Sequence, residues 1–150
     1  MEKIDWSLKK FEDLSLLELY EILQLRSEVF VVEQNCVFLD LDGKDQFSLH
    51  LQGRINGQLA AVVRILPPGL AYDEPSIGRV VSSPKFRKQG VGIELMKKAI
   101  EKIISLYGEV PIKISAQVYL KKFYENFGFL ECSEPYLEDD IPHIKMVRNQ

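Results

Sequence analysis

A strand, a glycine turn and a helix follow one another between Ile77 and Ile103, and a chain with this unit must lay a helix on a sheet. Ile77-Gly78-Arg79-Val80-Val81 is a β-branched run. Phe86-Arg87-Lys88-Gln89-Gly90-Val91-Gly92 follows, and Val91, Leu95, Met96, Ala99, Ile100 and Ile103 then recur at helical spacing. Free N–H groups point out of such a helix start, and the macrodipole adds about half a positive charge there. Glycine lets an anion come close to the backbone. The net charge is −3, yet Lys85, Arg87, Lys88, Lys97 and Lys98 cluster around the glycines. Local sign matters more than the total for one anionic ligand, so the turn predicts a site for a phosphorylated molecule.

The length of 150 residues suggests one domain over 1–150, large enough to bury a core without disulfides or metals. The slight negative charge argues against general nucleic-acid binding. No apolar run approaches the ~18 residues of a membrane helix. Met1-Glu2-Lys3-Ile4-Asp5 lacks a signal-peptide core. Cys36 and Cys132 are too few for a secreted disulfide framework, so a cytoplasmic protein with free thiols is expected. Neither a CxxC nor an HExxH spacing occurs, and no metal is expected.

Trp6–Lys10 reads as a first strand. Ser15-Leu16-Leu17-Glu18 has the capping-box form and opens a helix from Leu16 to about Phe30. Glu33–Asp45 is an acidic loop. Leu49–Ile55 and Gln58–Leu66 flank Asn56-Gly57, a hairpin signal. The glycine-led helix runs to about Leu106. Ile112–Ala116 is a strand, Val118–Phe127 a short helix, and Gly128 stands where a left-handed cap belongs. Phe129–Cys132 and His143–Val147 close the order β-α-ββ-β-α-β-α-ββ.

The glycine turn is neither a P-loop, since no Lys-Ser/Thr follows Gly92, nor a dinucleotide fingerprint, since Leu95 replaces the third glycine. Arg87-x-x-Gly90-x-Gly92 between strand and helix resembles the acetyl-CoA motif of the GNAT superfamily of N-acetyltransferases. Phe123-Tyr124-x-x-Phe127-Gly128-Phe129 resembles its second mark. Arg26-x-x-x-Phe30-Val31-Val32-Glu33-Gln34-x-Cys36, Asp40-x-Asp42-Gly43-x-Asp45, Ala116-Gln117 and Ile141-Pro142-His143-Ile144 are similar to the ElaA branch. The segment between Asp45 and His50 is shorter than that branch's pattern, and Asp140 stands where it has a glycine. The resemblance implies an α/β fold: a mixed, mostly antiparallel sheet flanked by helices, with splayed central strands that bind acetyl-CoA.

It also implies acetyl transfer to an amine by direct attack, without an acyl-enzyme. Backbone N–H groups of Arg87, Lys88, Gln89, Gly90, Val91 and Gly92 would hold the pyrophosphate. Val80, Val81 and Ser82 would pair with the pantetheine, and the Val81 N–H would polarise the thioester carbonyl. Tyr124 is the family-position acid. A thiol near pKa 8.5 against a tyrosine near 10 makes full proton transfer uphill by about 2 kcal/mol, so hydrogen bonding to the thiolate is an equal alternative. Removing the proton of an alkyl ammonium at pH 7 costs about 4.6 kcal/mol. Ile77–Val81 holds no Glu for that task, which leaves Glu33, Asp42, His143 or a water chain as base. The acceptor is a small-molecule or peptide amine, and its acidic neighbours Glu33, Asp40, Asp42, Asp45 and Glu138-Asp139-Asp140 would favour a cation if they line its cleft. Arg26 and Arg79 are alternative, structural partners for those acids. A monomer or homodimer is expected, and a non-catalytic CoA- or acetyl-CoA-binding sensor domain is the rival reading.

Overall fold

The computed structural model describes residues 3–149. The elements are β1 (Asp5–Lys10), α1 (Leu16–Arg26), β2 (Leu49–Ile55), β3 (Gln58–Leu66), β4 (Ser76–Ser82), α2 (Val91–Tyr107), β5 (Ile112–Gln117), α3 (Lys121–Glu125), β6 (Phe129–Glu131), β7 (Tyr136–Glu138) and β8 (Ile141–Arg148). β1 to β4 form one antiparallel sheet in chain order. In the other, β8 pairs with β5 on one edge and with β6 and β7 on the other. α2 carries the chain from the end of β4 back to the start of β5, so these two strands run side by side in one direction. Lys113 N–H donates to Pro75 O at 3.1 Å where they begin, and no ladder joins them beyond it. The result is a V that opens toward Ser82 and Gln117.

Local chemistry accounts for most boundaries. Ser15 Oγ accepts from the Glu18 N–H at 3.0 Å while Glu18 Oε1 accepts from the Ser15 N–H at 2.9 Å, closing the capping box. Glu18 also accepts from Gln52 and Lys9, tying α1 to β2 and β1. The Ser15 backbone bond, with Gln52 and Lys9 behind it, holds the Glu18 carboxyl down to about 2 against the opposing effect of its burial. Asn56 and Gly57 take positive φ of 51° and 80°, as a type I′ hairpin requires.

Two expectations need correcting. The first helix does not run as α to Phe30: after Arg26 it widens into a π-helical segment, Ser27–Glu33, with Gln34 N–H bonded to Val29 O and Cys36 N–H to Val31 O. Apolar spacing carries no signal for such an i→i+5 turn. Strand β7 was not expected, because three residues are too short to display alternation.

β4 contains a bulge. Gly78 pairs with Arg64 and Val81 with Val62, so Arg79 and Val80 oppose Val63 alone. Arg79 has φ +51°. In an unbroken strand Ile77 and Val81 would share a face. Here Ile77 joins the core beneath α2, with Leu95, Met96, Ala99 and Ile103, whereas Val81 joins Ile22, Leu25, Val29 and Val62 beneath α1.

The segment between α1 and β2 is fastened by three arginines. Arg26 Nε donates to Asp40 at 2.9 Å and its Nη1 to Asp45 at 2.8 Å. Arg64 donates to Asp42 at 2.6 and 2.8 Å and to Asp45 at 3.0 Å. Arg79 donates to the Asp40 carboxylate at 2.7 Å and its carbonyl at 2.8 Å. Arg26 is only 1% exposed. Burial opposes ionisation of Asp42 and Asp45, but the guanidinium bonds and charges prevail and hold both carboxyls below the usual range. Such depressed groups add stability above their ordinary pKa near 4 and lose it as pH falls through the folded value. Stability is therefore expected to be level above about pH 4 and to fall below it. Arg26→Ala leaves Asp40 to Arg79 alone and Asp45 to Arg64 alone, opens a void where the buried guanidinium lay, and lowers urea-unfolding stability by about 3 kcal/mol. A loss under about 1 kcal/mol would show that the network does not hold the segment.

Candidate functional site

A cleft of about 650 Å³ lies between the arms of the V. One wall is β4 from Ser76 to Ser82; the other is Ile114, Ser115 and Gln117 of β5 with His143 of β8. Tyr124 lines it from α3, and Gln34, Cys36, Phe38, Leu39, Asp40 and Asp42 cover it from the fastened segment. Cys36 Sγ donates to Asp139 O at 3.3 Å, joining that cover to the β7–β8 turn.

At the open end, Lys88 and Gly90 have positive φ of 66° and 75°. Gly90 caps α2 with no side-chain bond, so the first N–H groups of the helix keep no acceptor within it. A Cβ at Gly90 or Gly92 would meet nothing within 4 Å. This is the open, cation-flanked backbone that a pyrophosphate needs. Of the expected phosphate contacts, Arg87 lines the cleft, together with Val80, Val81 and Ser82 from β4. Lys88, Gln89, Gly90, Val91 and Gly92 follow in the turn that leads into α2.

Arg87 is already engaged. Its two Nη atoms each donate to a Glu33 carboxylate oxygen at 2.6 Å. The Arg87 bonds and charge hold the Glu33 carboxyl below its ordinary range. Glu33 is not among the residues lining the cleft. A carboxylate in this state is a poor proton acceptor and a direct competitor for the anion that Arg87 is expected to bind.

Tyr124 is 7% exposed, set edge-on to Phe123 and Phe129. Burial, with the neighbouring Tyr119, pushes its phenol well above the usual tyrosine range, so it stays protonated and can donate. The turn after α3 is closed by Gly128 at φ +91°, as its position suggested.

The acidic residues divide. Asp40, Asp42 and Asp45 are consumed by Arg26, Arg64 and Arg79, which leaves Asp42 unsuited as a base. Glu138 does face the cleft. His143 is 7% exposed; its Nδ1 lies 2.7 Å from Ile141 O and its Nε2 3.5 Å from Glu138 Oε2. Sequence reasoning did not single out Ser115, Gln117, Tyr136 or Glu138 as a group. Alternation on β5 was the available signal, but only the pairing register shows which residues of β7 and β8 stand beside it. Among the described residues no cluster of three metal-ligating side chains occurs, and no helix is long and apolar enough to cross a membrane.

Comparison with known proteins gives a consistent picture. A family model described as an acetyltransferase (GNAT) domain matches residues 41–149. A UPF0039 protein of Synechocystis is 44% identical over 146 residues, 97% of this chain and 95% of that protein. The crystal structure of an acyl-CoA N-acyltransferase from Pseudomonas aeruginosa superposes with a TM-score of 0.92 at 46% identity, covering 97% of this chain and 99% of that one. Crystalline Escherichia coli ElaA gives 0.90 at 40% identity over 98% and 100% of the two chains.

The Glu33–Arg87 pair generates a prediction about anions in general. Glu33→Gln releases Arg87 and strengthens binding of inorganic pyrophosphate about two- to fivefold in low-salt calorimetry, the scale of an exposed ion pair. Unchanged or weaker binding would mean that Arg87 is not shared between the two.

Proposed function

The chain belongs to the GNAT acetyltransferase family, and on that premise we propose that it transfers an acetyl group from acetyl-CoA to a primary amine by direct attack. The observation that carries this reading is the conjunction of the V-shaped cleft with the open N-terminus of α2 at its mouth and a protonated Tyr124 within it.

The pyrophosphate would lie on the N–H groups of the Arg87–Gly92 turn, where added Cβ atoms find empty space. The pantetheine arm would run along Val80, Val81 and Ser82, beside the β4 edge that no strand pairs with. The Val81 N–H is the proposed donor to the thioester carbonyl. Burial widens the pKa gap between Tyr124 and a thiol, so complete proton transfer costs more than the ~2 kcal/mol of unperturbed groups. Tyr124 therefore acts by donating a hydrogen bond to the departing sulfur. His143, on the opposite wall of the cleft beside Gln117, is better placed than Glu33 to take the amine proton, because Glu33 is bound to Arg87.

Acetyl-CoA is expected to raise the melting temperature and to acetylate at least one member of a panel of alkylamines, polyamines and peptides. Binding without any acetylation would favour a sensor. Gly92→Asp adds an acid to the first turn of α2, where it suits the helix dipole, yet it should abolish acetyl-CoA binding while leaving the ligand-free melting point nearly unchanged. Retained affinity would remove the phosphate assignment. Tyr124→Phe should cut kcat about tenfold or more with the CoA Kd within twofold; a fully active variant would remove its role at the sulfur.

A further inference from the structure

The β5–β8 wall of the cleft, at its open end and facing Ser82, is built on one face of a three-strand patch. On β8, His143 pairs with Gln117 of β5 on one side and with Tyr136 of β7 on the other. The β7–β8 turn is Asp139-Asp140, both at positive φ (53° and 61°). This tight hairpin brings Glu138 onto the same face, one step from His143. Ser115 lies two residues before Gln117, on that face as well.

Donors and acceptors do not balance there. The Ile141 carbonyl can only accept, so His143 Nδ1 carries the ring proton. In the neutral ring Nε2 is then an acceptor, and it faces Glu138 Oε2 at 3.5 Å, a second acceptor. Ser115 Oγ donates to Glu138 Oε1 at 3.1 Å and itself receives the Tyr136 hydroxyl, so Oε1 is satisfied and Oε2 is not. Gln117 Nε2 donates to Gln34 at 3.4 Å, whereas its Oε1 is buried with no partner. Gln117 Oε1 is thus a buried acceptor with no donor, and beside it Glu138 Oε2, on a side chain 44% exposed, and Nε2 of the nine-tenths-buried neutral His143 face the cleft without a protein donor. An unmet buried acceptor is costly, and a ligand that brings N–H groups would satisfy Gln117 Oε1 while bonding the other two.

We propose that this patch is an ammonium subsite, in which a primary amine binds through Glu138 Oε2, His143 Nε2 and Gln117 Oε1. The proposal rests on the amine-acetylation reading and names the charge and substitution of the acceptor. Three acceptors match the three N–H groups of a primary ammonium and disfavour a quaternary one, which has none. Glu138 and Asp139 supply negative charge; Lys145, a cation on the same face, lies over the Tyr136 ring at 5.8 Å. In the reaction one ammonium proton passes to His143 Nε2, and the imidazolium then forms an ion pair with Glu138. The neutral amine attacks the thioester carbon, the C–N bond forms, and the C–S bond breaks with its electron pair leaving on sulfur. The second N–H proton neutralises the thiolate, and His143 returns its proton to solvent. The products are an amide, a thiol and one proton. In this scheme Glu138 and Gln117 position the amine and His143 accepts its proton.

The chain has two histidines, which gives a direct readout. His50 Nε2 is bonded to Asp45 O at 2.8 Å within the arginine network and serves as the internal reference. Butylammonium chloride, titrated into the CoA-saturated protein at constant ionic strength, should shift the His143 side-chain nitrogens and leave those of His50 in place. Butanol should shift neither. Glu138→Gln and, separately, Gln117→Leu should each weaken the apparent affinity, the former about tenfold or more. An equal response to butanol, no response at His143 in the parent protein, or unchanged affinity in a folded Glu138→Gln protein would overturn the proposal. CoA binding is read in the same samples from the melting temperature, so failure of the cofactor assignment is seen separately from failure of the subsite.

Discussion

Arg26, Arg64 and Arg79 meet Asp40, Asp42 and Asp45 in one connected set of hydrogen bonds, and much of the structure around the cleft depends on it. Arg26 ends α1, Arg64 lies in the middle of β3, and Arg79 occupies the bulge of β4. The aspartates all come from the irregular segment that roofs the cleft. Three cations and three anions cancel, so the network spends its charge on holding the roof and contributes little field to a ligand. Its strength comes from partial burial, since exposed pairs of the same kind contribute little.

The bulge gains its significance from this arrangement. It places Arg79 in a left-handed conformation that costs energy for a non-glycine residue, and two bonds to Asp40 offset that cost. It also rotates the last residues of β4, so that Val81 turns toward α1 while Val80 stays with the core beneath α2. The strand thus reaches the opening of the V with its free edge beside the cleft and Val81 still buried. Divergence from β5 leaves that edge without a partner strand, which is the property the proposed pantetheine contact uses.

Charge is sorted across the cleft. On one side of the mouth, Arg87 and the open end of α2 favour an anion, with Glu33 as a competitor for the arginine. On the facing β5–β8 wall, Glu138 Oε2, neutral His143 Nε2 and Gln117 Oε1 are acceptors without a protein donor. The acidic loop expected to attract a cationic amine is instead internally neutralised at Asp40, Asp42 and Asp45, and the attraction falls to the β7–β8 hairpin. An anionic donor on the α2 side and a cationic acceptor on the β5–β8 side would meet between the two walls.

Features that depend on neighbours along the chain were legible in the residues. The capping box at Ser15, the Asn56-Gly57 hairpin, the α2 stripe and the Gly128 cap rest on propensity and on periods of two or 3.6, and they appear as read. The glycine turn between strand and helix pointed to the family for the same reason. The π-helical continuation of α1 and the three-residue β7 leave no periodic trace. The partners of the aspartates were only half legible: Arg26 and Arg79 stand out as isolated cations, but Arg64 hides within an apolar run. Glu33 and His143 could not be told apart from their types alone. Long-range pairing separates them, by giving Glu33 to Arg87 across 54 positions and by setting Gln117, His143 and Glu138 on one face through strand register. Local sequence determines conformation and therefore the open, glycine-led start of α2; which charges remain unpaired is a balance struck only when distant segments come together.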